Sequence, residues 1–117
     1  MRHLKKGKKF NRKTGQRRAF LRSIANELIL TGRIETTEAR AKAIKPIVEK
    51  MLTLAKAGTL ARRRLLLARL HNQDAIRKLF DELAPRYKER NGGYLRIIKE
   101  GKWRKRDGVK VAIIEFV

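Results

Sequence analysis

Two histidines, a single serine and no cysteine are what this sequence of 117 residues offers to a serine or thiolate nucleophile and its base, beside 32 lysines and arginines. Ser23 falls inside a stretch with helical periodicity, and His3 stands in an acid-free segment where no carboxylate can orient an imidazole. A nucleophile, a base and an orienting group therefore cannot be assembled. Asp81 and Glu82 are adjacent and diverge by about 100° around a helix, as solvated surface charges do and cooperating acid–base pairs do not. Neither GxxxxGK[ST] nor GxGxxG occurs, so Gly7-Lys8-Lys9 and Gly101-Lys102 read as charge in loops rather than phosphate cradles. Metal-ligand spacings are also missing. The expectation is a protein that is not an enzyme, with no cofactor, no metal and no small-molecule substrate.

The chemistry that is present is charge. Lysine and arginine exceed aspartate and glutamate by 32 to 11, a formal net charge of +21. Like charges at that density oppose the compact state, so the surface calls for a polyanionic partner, and nucleic acid is the commonest. The first 13 residues hold seven of the cations, no acid and no helical or strand period. They read as an extended arm, with a solubilising tail or a localisation signal as the plainer alternative. The arm presents Arg2, His3, Lys5, Lys6, Lys8, Lys9, Arg12 and Lys13, and Arg17, Arg18 and Arg22 carry the charge on into the first predicted helix. A second basic segment reads Lys102, Trp103, Arg104, Lys105, Arg106. Its ring would stack on an exposed base or ribose, or equally cover the edge of a sheet. Of Arg62, Arg63 and Arg64, which point in successive directions, at most two can meet one surface. Tyr94, after two glycines, is expected to pack against its own domain.

As for the elements that hold these groups, the length suits one domain, residues 14–117, behind the arm, residues 1–13. No apolar run serves as a signal core or approaches the ~20 residues of a membrane span, so no membrane partner is expected. The lysine-rich start is expected to belong to the mature protein, and the absence of cysteine fits the cytosol. Thr14 precedes Phe20, Leu21, Ile24, Ala25 and Leu28, which share a helical face before Gly32, and Arg18, Arg22 and Asn26 fall on the opposite side. Arg33 to Thr36 is a short strand. Thr37 then caps a helix in which Ile44, Ile47, Val48, Met51, Leu54 and Ala55 keep phase across Pro46, giving one kinked helix that ends at Gly58. Thr59 starts a third helix, Leu60 to Leu70, and His71 marks a junction. Asn72 caps a fourth helix with Ile76, Leu79, Phe80 and Leu83, whose last turns Pro85 leaves open.

Tyr94 to Lys99 alternates as a strand, Glu100 to Gly108 is a basic loop, and the apolar, β-branched run Val109 to Val117 predicts a strand paired on both sides. The fold class is α+β: helix, strand, three helices, strand, strand, with the helices on one face of a small three-stranded sheet. No helix-turn-helix, zinc finger or basic zipper is present, so an arm and a stripe favour shape-led binding of RNA over groove reading of DNA. A nucleoid-type architectural DNA-binding protein is the alternative.

Several ordered motifs also carry a resemblance: the opening Met1-Arg2-His3, Arg12 and Arg17, Arg33-Ile34-Glu35-Thr36-Thr37, EKMLTLAK from Glu49 to Lys56, LAPRYKERNGG from Leu83 to Gly93 with Tyr94, and the closing Glu115-Phe116-Val117. By these, the chain resembles the bacterial large-subunit ribosomal protein seventeen family, essentially end to end. The resemblance implies a structural protein on the solvent side of the large subunit near the peptide exit, supporting assembly and bound to ribosomal RNA and to neighbouring large-subunit proteins. It implies that Arg2, His3, Arg12 and Arg17 lie at RNA, and that Thr36-Thr37 shapes the entry from strand to helix. The segment Arg106-Asp107-Gly108-Val109 departs from the family pattern, which has a Gly-Asp step and a Pro before the final strand.

Overall fold

A computed structural model describes Phe10 and residues 13–117. Helix α1 (Thr14–Thr31) begins without a side-chain cap. Thr14 is its first helical residue rather than its cap, because the carbonyl of extended Lys13 already accepts the amide of Arg17 at 2.8 Å. The helix stops at Gly32, whose φ of 82° lets its amide turn back to the Leu28 carbonyl, a left-handed cap that a Cβ would strain. Strand β1 (Arg33–Thr37) follows, and Thr37 accepts the Arg40 amide to cap α2 (Glu38–Lys56). Pro46 sits inside α2 without resetting the buried face of Ala41, Ile44, Val48, Met51, Leu52 and Ala55. The cap and phase are as expected; the helix closes at Lys56, two residues before Gly58.

Thr59 accepts the Arg62 amide at the start of α3 (Leu60–Leu70), which ends on left-handed His71 with φ 53°. Asn72 accepts the Ala75 amide and opens α4 (Gln73–Lys78). The helical path then widens to a π turn, Leu79–Leu83, before a last turn at Ala84–Arg86. Pro85 has no amide to give the ladder, and the widened turn brings the Ala84 amide to the Leu79 carbonyl instead.

Strands β2 (Leu95–Trp103) and β3 (Lys110–Phe116) form an antiparallel hairpin, and the sheet order is β1-β3-β2. The closing apolar run is thus the central strand, as its composition predicts. Ile34 and Ile97 both pair with Ile114, and Leu95 pairs with Phe116, so one face of the sheet is apolar and meets α2. One expectation is corrected: the loop expected at Glu100 to Gly108 is shorter, because β2 continues to Trp103. A register irregularity lies between Lys99 and Trp103, and Gly101 there has φ 71°. Such a bulge breaks the alternation that marks a strand in sequence. On the other face, Glu115 bridges Arg96 at 2.7 Å and Arg33 at 3.5 Å, tying the three strands together.

The core lies between α2 and the sheet and runs on among the helices through Leu28, Ile29, Leu66, Leu70, Leu79 and Leu83. Tyr94 is 1% exposed, with its ring 5.5 Å from that of Tyr87 and its hydroxyl 3.1 Å from Lys56 Nζ. It packs within its own fold, as expected. Asp81 and Glu82 are exposed.

Candidate nucleic-acid interface

At the start of α1, Lys13 and Arg18 are exposed and Arg17 is half-buried. The ring of Phe10 meets Phe20 edge-on at 5.6 Å, and the Arg40 guanidinium stands 4.9 Å from the centre of the Phe20 ring. The chain entering α1 is therefore pinned to the helix at Phe10 by apolar burial and ring electrostatics. Arg2, His3, Lys5, Lys6, Lys8, Lys9 and Arg12 lie outside the described residues.

The expected stripe of Arg18, Arg22 and Asn26 does not stand opposite the buried side of α1. Arg22 Nε donates to the Arg69 carbonyl and Asn26 Nδ2 to the Leu70 carbonyl, each at 2.9 Å. The reason is Ile29, fully buried and absent from the predicted apolar face. Ile29 follows Arg22 by seven residues, about two turns, and so points in nearly the same direction. With Ile29 included, the buried arc swings toward Arg22 and Asn26, and both side chains meet the last carbonyls of α3. Those carbonyls have no partner within their own helix and form its negative end, so an amide and a guanidinium are favourable there. Arg18, one turn earlier, stays at the surface beside a groove that also takes in Leu21, Ile47 and Ala68.

The second basic segment is split between the end of β2 and the turn after it. Trp103 is 60% exposed, and Lys110, its partner across the hairpin, places Nζ 5.2 Å from the ring centre. Its surface is accessible, which disfavours the covering role. Arg104 is engaged in the turn: its Nε donates to Asp107 at 3.1 Å, and its amide and carbonyl bond Val109 and Gly108. That contact holds the Asp107 carboxyl below its ordinary pKa. Lys102 pairs with Glu100 at 3.4 Å, while Lys105 and Arg106 are exposed at the tip. Beside them, Glu38 at the first turn of α2 binds Lys42 at 2.9 Å and Lys99 at 3.6 Å, and its carboxyl is pulled down chiefly by the Lys42 hydrogen bond. Spacing along the chain does not bring Lys99 and Lys110 to Trp103, because their position depends on strand register.

Several further cations serve the fold. Lys78 Nζ donates to the Leu30 carbonyl at 2.7 Å, Lys56 to the Arg90 carbonyl and the Tyr94 hydroxyl, and Arg63 lies over Phe80 at 5.0 Å. Arg62 and Arg64 are exposed. Among the described residues no cluster of three or more histidines or carboxylates is placed to hold a metal ion, and no helix is long and apolar enough to cross a membrane.

The ribosomal protein L17 family profile matches residues 20–117. A relative from Hydrogenobaculum sp., named Large ribosomal subunit protein bL17, is 53% identical over all of this chain and 99% of its own length. Proteins of the same name from Persephonella marina and Shouchella clausii are 55% and 52% identical, over 100% and 93% of this chain and 95% and 97% of their own lengths. With the match running through every helix and strand, the chain belongs to the ribosomal protein L17 family.

Proposed function

We propose that this protein is a structural, noncatalytic constituent of the large ribosomal subunit in the cytoplasm, where it binds large-subunit ribosomal RNA and supports assembly near the peptide exit, beside other large-subunit proteins. The supporting observation is the end-to-end likeness to proteins named for the large subunit, on a chain of net charge +21. Lysine and arginine neutralise phosphates where RNA segments converge, and this reading assigns that role to two places. One is the N-terminal segment, from Arg2 through Lys13, with Arg17 and Arg18 at the start of α1 and Arg22 bridging to α3. The other is the hairpin end at Lys102, Trp103, Lys105 and Arg106, with Arg104 shaping the turn. Binding of this kind reads the shape of folded RNA.

Competition between folded large-subunit RNA and duplex DNA tests the proposal. At physiological salt, the RNA is expected to displace the DNA, and the protein is expected to sediment with large subunits after a high-salt wash. Equal affinity for both nucleic acids would overturn it in favour of an architectural DNA-binding role. Salt dependence alone does not discriminate. With six to ten phosphate contacts, either partner loses roughly 10³- to 10⁵-fold in affinity between ~50 and ~200 mM salt.

A further inference from the structure

Helices α1, α2 and α3 leave a groove of about 400 Å³ between them. Ile47, Met51 and Ala68 contribute its apolar floor and Arg18, Arg22 and Arg69 stand around it; no acidic residue lines it. Such a surface favours an occupant on two counts, since guanidiniums with no acid among them repel one another and attract an anion, and the small apolar floor between them can pack against an apolar plane. An occupant that satisfies both needs an apolar plane and an anionic edge. A nucleotide has both, in its base and its phosphate.

Two further features favour RNA over an acidic peptide. Arg22 is held by its Nε–H bond to the Arg69 carbonyl at 2.9 Å, so its guanidinium plane is ordered in advance and stacking on it costs little additional side-chain entropy. Arg18, which lines the groove, also lies near the start of α1, and Lys13 and Arg17 precede it along the chain. The volume falls within the roughly 300–1,000 Å³ typical of small-ligand sites.

We infer that this groove holds one unpaired nucleotide of ribosomal RNA, its base over Ile47, Met51 and Ala68 and against the Arg22 plane, its phosphate toward Arg18 and Arg69. The inference rests on the RNA-binding reading above and gives it a defined site.

Two variants of the full chain test it against a naked transcript of the large-subunit RNA. Ala68→Phe plugs the groove from an exposed position on α3 and adds no charge; Arg22→Lys keeps the charge and removes the plane. Each is expected to weaken binding about tenfold, the scale of removing one base stack; Ala68→Phe is expected to keep the wild-type midpoint of the circular-dichroism melting curve, and Arg22→Lys, which loses the Nε bond to the Arg69 carbonyl, to lower it no further than Arg22→Ala does. One nucleotide protected from 2′-hydroxyl acylation by the wild type should become reactive again with Ala68→Phe. If phenylalanine impairs folding, Ala68→Leu takes its place with the same readings. Wild-type affinity in a folded plug variant would overturn the inference. So would unchanged binding to naked RNA with impaired entry into subunits, which would give the groove to a neighbouring protein. In both cases the wild type's preference for folded RNA over duplex DNA would stand, so failure of the groove is distinguishable from failure of the RNA-binding reading.

Discussion

Arg22 donates through Nε to the main-chain carbonyl of Arg69, 47 residues later, at 2.9 Å. With the bond from Asn26 to the Leu70 carbonyl, it makes α1 the cap of α3, at the point where left-handed His71 ends that helix. Replacing Asn26 by alanine strands a part-buried carbonyl and is expected to cost about 1 kcal/mol, read as a lower urea midpoint with unchanged slope. Arg22→Ala is expected to cost about 0.5–1 kcal/mol, because its bond lies at the surface, and to weaken RNA binding as well. Arg18→Ala, without the carbonyl bond, should weaken RNA binding alone. Equal urea midpoints for all three variants and the wild type would refute the capping role.

Trp103 is the largest exposed apolar side chain among the described residues, and Lys110 stands over its ring. Trp103→Ala should therefore leave the melting midpoint within about two to three degrees of wild type, since surface changes are usually within ±0.5 kcal/mol. Binding to folded ribosomal RNA should fall by roughly five- to hundredfold if the ring stacks on a base. A lowered melting point with unchanged binding would return Trp103 to a packing role.

The parts of this fold that are legible in the sequence are those whose physics is local. Thr37, Thr59 and Asn72 each cap a helix by accepting the amide three residues on, a bond that needs no distant partner. The almost continuously apolar run before Val117 marks the central strand because both of its edges are paired. What is not legible depends on how elements meet. Periodicity puts Arg22 opposite the apolar side as long as Ile29 is not counted in that side, and burial of Ile29 is decided by helix packing. The continuation of β2 past Gly101 is hidden by a bulge. The lysines around Trp103 are gathered by the register that sets Trp103 against Lys110, which no spacing along the chain reveals.

Glu38 provides an acid-sensitive contact at the start of α2. The Lys42 hydrogen bond, with further attraction from Lys42, Lys99 and Lys110, depresses its carboxyl below the ordinary value of 4.5. A depressed carboxyl contributes stability that is complete above its unfolded pKa and is lost as pH falls through the lower folded value. Wild type should therefore be more stable than Glu38→Gln near pH 7, and the difference should close below pH ~4. Urea titrations of both proteins across that range measure it; a constant difference down to pH ~3 would show that the charge of Glu38 contributes nothing.

Phe10 gives the N-terminal segment a boundary that can be tested by truncation. Its ring lies 5.6 Å from Phe20, which Arg40 also contacts, so truncations before and after Phe10 separate the loss of charge from the loss of this pair. Deleting residues 1–9 removes cations and leaves this pair, and the urea midpoint is expected to stay at the wild-type value. Deleting residues 1–13 also removes the aromatic pair and the Lys13 carbonyl that receives the Arg17 amide. That longer deletion should cost about 0.5–1.5 kcal/mol. Both truncations should weaken RNA binding and flatten its dependence on salt, because each phosphate left without its cation lowers the slope by roughly 0.7 to 0.9. The shorter deletion should account for most of that flattening, since the first nine residues hold five of the lysines and arginines before Thr14. If the salt slope is the same with and without residues 1–9, those cations meet no phosphates, and binding must be assigned to the groove and the hairpin end.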